Sequence, residues 1–427
     1  MKPVYIVDGA RTPFLKARNR PGPFAASDLA TDAGRALLLR QPFLPTDLDE
    51  VILGCAAPAP DEVNIGRVVA LRMGCGHKVP GWTVMRNCAS GMQAIDSAMD
   101  SMRVGRSNLV LAGGVDALSR APLLFSDAMV AWLSNWYAAK SLGRRAALIA
   151  QFRLHYLAPV IGLMKGLTDP FVGLLMGQTA ENLAWRFGIT RAEMDAYSAR
   201  SHQRVLAAQR EGRFADEVIA LYDRDGKVYP ADDGVREDST PENLARLKPF
   251  FDRKYGNVTA GNSSQVTDGA AWVVLATEDA VRRHGLKPRG RIVDSQWAAL
   301  DPAQMGLGPV HAATPLLTRN GLRLADVDAW EINEAFAAQV IACLRAWESD
   351  GFCRDELGLP GALGAIDADR LNVDGGAVAL GHPVGASGTR IVLHLLNVLE
   401  RSGGRRGIAA ICIGGGQGGA MLVERVD

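Results

Sequence analysis

The feature that most constrains this chain is a run of short apolar segments alternating with amphipathic helices, present at both ends and interrupted in the middle. Segments 4–7, 51–55 and 109–112 read as strands, the last closing on Gly113-Gly114. Between them, 27–39 has helical spacing with Ser27 as its N-cap, and 89–102 puts Ala94, Ile95, Ala98, Met99 and Met102 on one face. The last third repeats the theme. Segments 291–293 and 329–332 read as strands, 334–344 and 388–399 as helices, and 407–413 and 419–423 as two strands about a glycine turn. Such alternation folds as α/β layers, and the two ends look like two copies of one unit.

The middle, 120–261, differs. It is helix-rich at 179–187 and 191–211, then loop-like at 223–226 and 230–241, and reads as an insertion covering the face where strand ends meet. Within it, 128–168 contains no Asp or Glu but holds Lys140, Arg144, Arg145, Arg153 and Lys165 among Trp132, Trp136, Phe152 and Tyr156. A basic amphipathic segment can rest on an anionic membrane, contact phosphates, dock on a partner, or simply pack with a solvated basic face.

Bulk properties narrow the class. A chain of 427 residues has room for two or three domains. A net charge of +1 argues against a nucleic-acid binder. No charged leader precedes an apolar run, and no apolar run is long enough to span a bilayer, so the expected location is cytoplasmic. The six cysteines show no C-x-x-C pair or ligand spacing, so neither a disulfide framework nor a metal site is expected.

Three residues stand out chemically. Cys88 lies between a strand-like run and the helix beginning near Ala89, where the helix dipole and free N–H groups favour thiolate; a buried, inert Cys is the other reading. His382 sits in Gly381-His382-Pro383 within a glycine-rich loop, and its imidazole can take a proton from a thiol. Cys412 ends a strand and opens onto Gly414-Gly415-Gly416, whose N–H groups can hold a thioester oxyanion. A second thiol makes sense where a proton must also move on or off carbon. Asn333, in Asn333-Glu334-Ala335-Phe336, reads equally as a ligand for water or carbonyl and as a helix N-cap. Two cysteines and one histidine in such settings suggest acyl transfer between thiols.

Taken together, the motifs resemble the thiolase family. They run in order as Val7-Asp8-Gly9-Ala10-Arg11-Thr12-Pro13-Phe14, Asn87-Cys88-Ala89-Ser90-Gly91, Met176-Gly177-Gln178-Thr179-Ala180-Glu181-Asn182, Thr259-Ala260-Gly261-Asn262-Ser263-Ser264 with Thr267-Asp268-Gly269, Asn333-Glu334-Ala335-Phe336, Gly381-His382-Pro383, and Cys412-Ile413-Gly414-Gly415-Gly416. The resemblance implies a duplicated five-layer α/β/α/β/α fold with an inserted helical loop domain. Its halves would be 1–119 plus 262–288 and 289–427, with the insertion at 120–261.

It also implies reversible cleavage of a 3-ketoacyl-CoA through an acyl-enzyme, with coenzyme A as substrate and no bound cofactor. By similarity, His382 activates Cys88, and Cys412 protonates the departing acetyl-CoA carbanion. His382 and Asn333 form one oxyanion site, and the N–H groups of Cys88 and Gly414 form the other. Ser264 matches a pantetheine contact and Arg236 an adenine-side contact, while Met176, Met305 and Phe336 bear on pocket depth. A homodimer or homotetramer is the family expectation.

Leu175 stands where short-chain biosynthetic members often carry His, and the 128–168 stretch is longer and more basic than in short forms. With Phe152-Arg153, Leu157-Ala158-Pro159 and Ser201-His202, this looks closer to the thiolase subunit of the fatty-acid oxidation complex. That lean brings in longer substrates and a membrane or a hydratase/dehydrogenase partner subunit. Short-chain acetyl-CoA acetyltransferase and a mainly docking subunit are the alternatives. A decarboxylating condensing enzyme would instead carry a second His at Asn333 and lack Cys412.

Overall fold

The structure, a computed structural model, describes residues 2–426; the expected domain limits at Met1 and Asp427 fall outside the described residues. The first half supplies β1 (Val4–Arg11), β2 (Glu50–Gly54), β3 (Gly81–Val84) and β4 (Leu109–Ala117), with α1 (Ala26–Leu39), α2 (Ile65–Arg72) and α3 (Ser90–Arg103). The chain then leaves the sheet for α4 (Asp127–Ala138), α5 (Leu142–Gln151), α6 (Met176–Arg186) and α7 (Arg191–Arg210), and returns as β5 (Thr267–Thr277). The second half supplies β6 (Gly290–Ala299), α8 (Gly308–Arg319), β7 (Ala329–Ile332), α9 (Ala337–Glu348), α10 (Val384–Ser402), β8 (Arg406–Ile413) and β9 (Gln417–Arg425).

The duplication is plain in the topology. The first half runs β1-β5-β4-β2-β3, with β5 antiparallel to both neighbours and β2 parallel to both of its own. The second runs β6-β9-β8-β7 with the same senses, and in place of β3 has only a parallel bridge from Leu371 to Trp330. Both first strands carry an irregularity at the same tripeptide, Ile6-Val7-Asp8 and Ile292-Val293-Asp294. In each, the Asp carboxylate accepts the next N–H, from Gly9 at 2.8 Å and from Ser295 at 2.9 Å. The two sheets are continuous at one corner, where β1 pairs β6 through Val4–Ile292, Tyr5–Arg291 and Ile6–Gly290.

Helices α1 and α2 cover the outer face of the first sheet and α8, with α9 beside it, that of the second. Helices α3 and α10 pack on each other between the sheets, giving five layers. Every residue of β4 and β5 is buried, as central strands covered on both faces require. Helix α10 is hydrophobic nearly all round, with Ile391, Val392, Leu395, Leu396 and Leu399 at 0 % exposure.

Several expected boundaries move for identifiable reasons. The N-cap of α1 is Ala25, whose N–H donates to Asp28 at 2.9 Å; Ser27 is buried against Glu62 and Arg72. Helix α10 begins at Val384 because Pro383 presets the entering backbone. Strand β6 extends to Ala299 because Asp294, Ser295 and Gln296 pair with β9 despite breaking the apolar run. Helix α9 begins at Ala337 with Phe336 as N-cap, so Asn333 is not a cap.

The insertion departs from simple packing. Helix α5 buries none of its residues and α4 only Met129. Trp132 stacks on Trp136 and meets Phe152 edge-on, a small aromatic cluster holding the two helices together. No helix among the described residues is long and apolar enough to cross a membrane.

Candidate active site

Parallel strands of both halves end on the same cavity, the usual place for a ligand in an α/β sheet. Cys88 follows β3, Asn333 follows β7, and Cys412 is the penultimate residue of β8; of these Cys88 lines the cavity, while Asn333, Cys412 and His382 are buried outside its lining. The cavity holds about 590 Å³ and is lined by Asn87, Cys88, Met176, Gly414 and Gln417 near the sheet. Its far wall is apolar: Leu118, Pro122, Leu124, Leu163 and Leu167. The two-residue strands Leu123–Leu124 and Val160–Ile161 pair to hold that wall in place.

Cys88 sits on a tight turn. The Arg86 N–H donates to Ser90 Oγ at 2.9 Å, Ser90 Oγ donates to the Asn87 carbonyl at 2.7 Å, and Asn87 adopts φ 44°. The Arg86 guanidinium lies 4.2 Å over the Trp297 ring, tying the turn to β6. The Gly414 backbone N–H reaches the Cys88 sulfur, and the Cys412 thiol is near enough that a charge on one disfavours a charge on the other. Burial pushes the Cys88 thiol up to about 11, against which the N–H groups of Gly414 and Cys88 pull down. The start of α3 therefore does not make Cys88 a resting thiolate; loss of solvent outweighs the dipole. Burial, with Cys88 and Cys343 nearby, holds Cys412 well above the ordinary thiol value.

The β8–β9 turn needs glycine. Gly415 and Gly416 have φ of 92° and 72°, and a Cβ on Gly416 would lie 2.2 Å from the Leu300 carbonyl. Gly381, φ 96°, is equally committed, since a Cβ there would lie 2.1 Å from Thr267 Cγ2.

His382 is buried, with Nδ1 2.6 Å from Ser387 Oγ. Ser387 Oγ donates to the Pro383 carbonyl at 3.0 Å, so it accepts from Nδ1–H and leaves Nε2 with its lone pair. Nε2 has no protein partner. Burial and then Arg390 push His382 down to about 4, so it is a neutral imidazole at neutral pH. Asn333 is 0 % exposed, and neither its Oδ1 nor its Nδ2 has a protein partner. Buried amides are normally satisfied, which sets this one apart. The segment around Ser264 runs between these two residues: Ser264 N–H donates to Ala335 O at 2.9 Å, and His382 N–H to Gln265 O at 3.1 Å.

The remaining sequence candidates divide. Met176 lines the cavity and abuts Gly414. Met305 is buried in the second-half core, and Phe336 packs edge-on to Phe251 with centroids 6.0 Å apart; neither lines the cavity. Arg236 and Ser264 are half-buried outside the lining. Gln265 Nε2, donating to Gly234 O at 2.7 Å, brings the Arg236 loop beside Ser264.

Sequence reasoning missed Asn87, Ser387 and Asp116. Asp116 accepts N–H bonds from Ala57 and Gly385, clamping a cavity loop to the start of α10, and burial pushes its carboxyl up to about 6. Ser387, five residues beyond His382, was the one with a local signal.

Comparison with known proteins agrees with this geometry. The family described as Thiolase, N-terminal domain, matches residues 4–279, and Thiolase, C-terminal domain, matches 286–425. A 3-ketoacyl-CoA thiolase of Yersinia enterocolitica is 37% identical over 423 residues, spanning 99% of this chain and 96% of that protein. A beta-ketoadipyl-CoA thiolase of Pseudomonas aeruginosa is 41% identical over 429 residues, spanning 99% of each. The crystal structure of human mitochondrial 3-ketoacyl-CoA thiolase in complex with CoA aligns with TM-score 0.85 at 36% identity, covering 100% of this chain and 98% of that one. Bacillus anthracis acetyl-CoA acetyltransferase aligns with the same score and identity, covering 100% and 99%. With both halves matched in sequence and the whole chain in structure, this protein belongs to the thiolase family of acyltransferases.

Proposed function

We propose that the protein cleaves 3-ketoacyl-CoA with coenzyme A, releasing acetyl-CoA and a shortened acyl-CoA through an acyl group on Cys88. The observation that carries this is the meeting of the Cys88 thiol and Gly414 in one cavity, with the buried Cys412 thiol close enough to feel a charge on Cys88. Cys88 attacks the 3-keto carbon as His382 Nε2 takes its proton, and the oxyanion is held by N–H groups or by His382 with an Asn333-bound water. The bond between carbons 2 and 3 breaks, and the Cys412 thiol protonates the acetyl-CoA enolate. Coenzyme A then attacks the thioester, its proton restores Cys412, and the imidazolium returns its proton to Cys88. Dividing the reaction this way makes two easier steps of one hard step. The resting forms fit the start of cleavage: a neutral base, and an acid that still holds its proton.

The apolar wall favours a substrate longer than acetoacetyl-CoA over the short-chain acetyltransferase reading. Met176 borders the acyl chain, Ser264 and Arg236 flank the coenzyme arm, and the insertion at 120–261 is the substrate cover. The test is cleavage of acetoacetyl-CoA beside a long-chain 3-ketoacyl-CoA by wild type and Cys88→Ala. Thiolysis surviving in the variant would overturn the role of Cys88, and a preference for acetoacetyl-CoA would overturn the chain-length reading.

Two partner readings accompany it, both compatible with a cytoplasmic enzyme. Strand β3 is a sheet edge with exposed Trp82, which suits pairing with a second copy in a homodimer, whether or not it goes on to a tetramer. The α4–α5 arm exposes Phe125, Tyr137, Leu142, Leu154 and Phe171, which suits an anionic membrane better than a hydratase/dehydrogenase subunit because 128–168 has no acidic residue. Changing Lys140, Arg144, Arg145 and Arg153 to Glu should abolish binding to anionic vesicles; unchanged binding would sink that reading.

A further inference from the structure

We propose that Asn87 is a positioning residue that sets the distance between the Cys88 sulfur and the Gly414 N–H. The inference rests on Cys88 being the nucleophile. Asn87 directly precedes it with φ 44°, one of the few non-glycine residues in the left-handed region. Asn tolerates that conformation better than most residues but does not relieve it as Gly would. What Asn adds is its side chain. Nδ2 donates to the Gly414 carbonyl at 2.9 Å, across the boundary between the halves. The same Gly414 offers its N–H to the Cys88 sulfur.

Gly414 is thus gripped at its oxygen by the residue before the nucleophile while its nitrogen faces the nucleophile. The turn is closed behind it by the Ile413–Gln417 pair and by the Leu300 N–H, which donates to the Gly416 carbonyl at 2.8 Å. Gly414 itself packs against Met176, and the Asn87 amide is the side-chain hydrogen bond on its carbonyl. The anchor also belongs to the right body: Arg86, stacked on Trp297, and Ser90, bonded to the Arg86 N–H and Asn87 carbonyl, fix the turn that carries Asn87. The tether therefore transmits the position of Cys88 to the oxyanion donor of the opposite half. A donor is useful only within hydrogen-bond range of the developing oxyanion, and a misplacement near 1 Å costs on the order of 100-fold.

The test compares Asn87→Gly, Asn87→Ala and Asn87→Asp, following acylation of Cys88 by acetoacetyl-CoA in rapid-quench peptide mass spectrometry, with steady-state kcat and KM alongside. Gly accepts the backbone conformation without strain but lacks the tether, and Asp keeps the shape while replacing the donor with an acceptor. All three should acylate Cys88 about 10- to 100-fold more slowly than wild type, at unchanged KM and with wild-type circular dichroism. Wild-type acylation in Asn87→Gly would mean that only backbone conformation matters and would overturn the proposal. A raised KM with kcat preserved would overturn it by making Asn87 a direct substrate contact. Wild-type enzyme that turns over without an acyl group on Cys88 would remove the nucleophile reading, and the tether with it.

Discussion

The Glu334 carboxylate accepts a hydrogen bond from the Asn372 side-chain amide at 2.9 Å, joining the loop that carries Asn333 to the loop that leads to His382. Neither residue lines the cavity. Glu334 also accepts from Tyr197 Oη at 2.9 Å, Ser201 Oγ at 2.6 Å and the Val378 N–H at 3.2 Å. Asn372 in turn bonds both backbone groups of Ile332, at the end of β7. One buried carboxylate thus gathers α7, the end of β7 and the histidine loop.

Removing it should be costly. Glu334→Ala leaves four buried donors without their acceptor, each worth about 1–3 kcal/mol when unsatisfied. A loss of at least about 3 kcal/mol in urea unfolding is expected, accompanied by loss of activity. A variant as stable as wild type would contradict the network.

Asn333→Ala should behave in the opposite way. Its amide makes no bond to the protein, so the substitution removes an unsatisfied buried group rather than a contact. Stability should hold or rise, while kcat falls about 10²- to 10³-fold, the usual loss for one oxyanion ligand. Thermal melting and steady-state rates on the same preparation separate the two effects.

The pH profile should be flat where a free histidine would bend it. His382 is held down to about 4, so the imidazole stays neutral from pH 8 to well below 6.5. The acid limb of kcat/KM should lie nearer 4 than 6.5, within the range where the protein stays folded. The same shift bears on stability. Between 4 and 6.5 the unfolded state binds more protons at this site, so its contribution is full above 6.5 and is lost as pH falls through about 4. An inflection in kcat/KM near 6.5 would exclude His382 as the base.

His394 carries the reverse sign. It lies 2.9 Å from Glu217 and 3.2 Å from Asp374, fully buried, and burial is overcome by those carboxylates, raising it to about 10. Its contribution is complete below 6.5, declines as pH rises, and is gone above about 10. His394→Ala should cost about 3–5 kcal/mol at pH 7 by stranding buried charge. Denaturant melts of wild type and variant should converge at high pH; parallel curves would refute the assignment.

Chain-length preference should yield to one wall residue. Leu163→Trp narrows the cavity away from Cys88. It should lower kcat/KM for a long-chain substrate by about 10-fold or more relative to acetoacetyl-CoA, the scale of a steric change in an apolar pocket. An unchanged ratio would place the acyl chain elsewhere.

Much of this was legible in the sequence because the reactive groups are flagged locally. Cys88, His382 and Cys412 each sit among small residues that make room for a ligand, and the α/β alternation shows in the apolar periods. What escaped was relational. Glu334 finds Tyr197 and Ser201 more than a hundred positions away, and Asn87 finds Gly414 more than three hundred positions along the chain. The repeated Ile-Val-Asp was visible, but three letters carry no weight until both copies are seen to kink at the same place. How far burial raises the Cys88 thiol was not legible either, because its desolvation depends on walls brought from distant segments.

The unequal ends of the sheet limit how the molecule can assemble. At β7 the outer edge is already occupied: Trp330 N–H donates to Arg370 O at 2.7 Å and Asn372 N–H to Trp330 O at 2.9 Å. Among the described residues no strand lies beyond β3. With one edge closed and the other open, strand-to-strand growth can join two molecules about a twofold axis and then has nowhere to continue. A second copy pairing at β3 would therefore present a closed edge at each far end, and such growth would stop at two molecules.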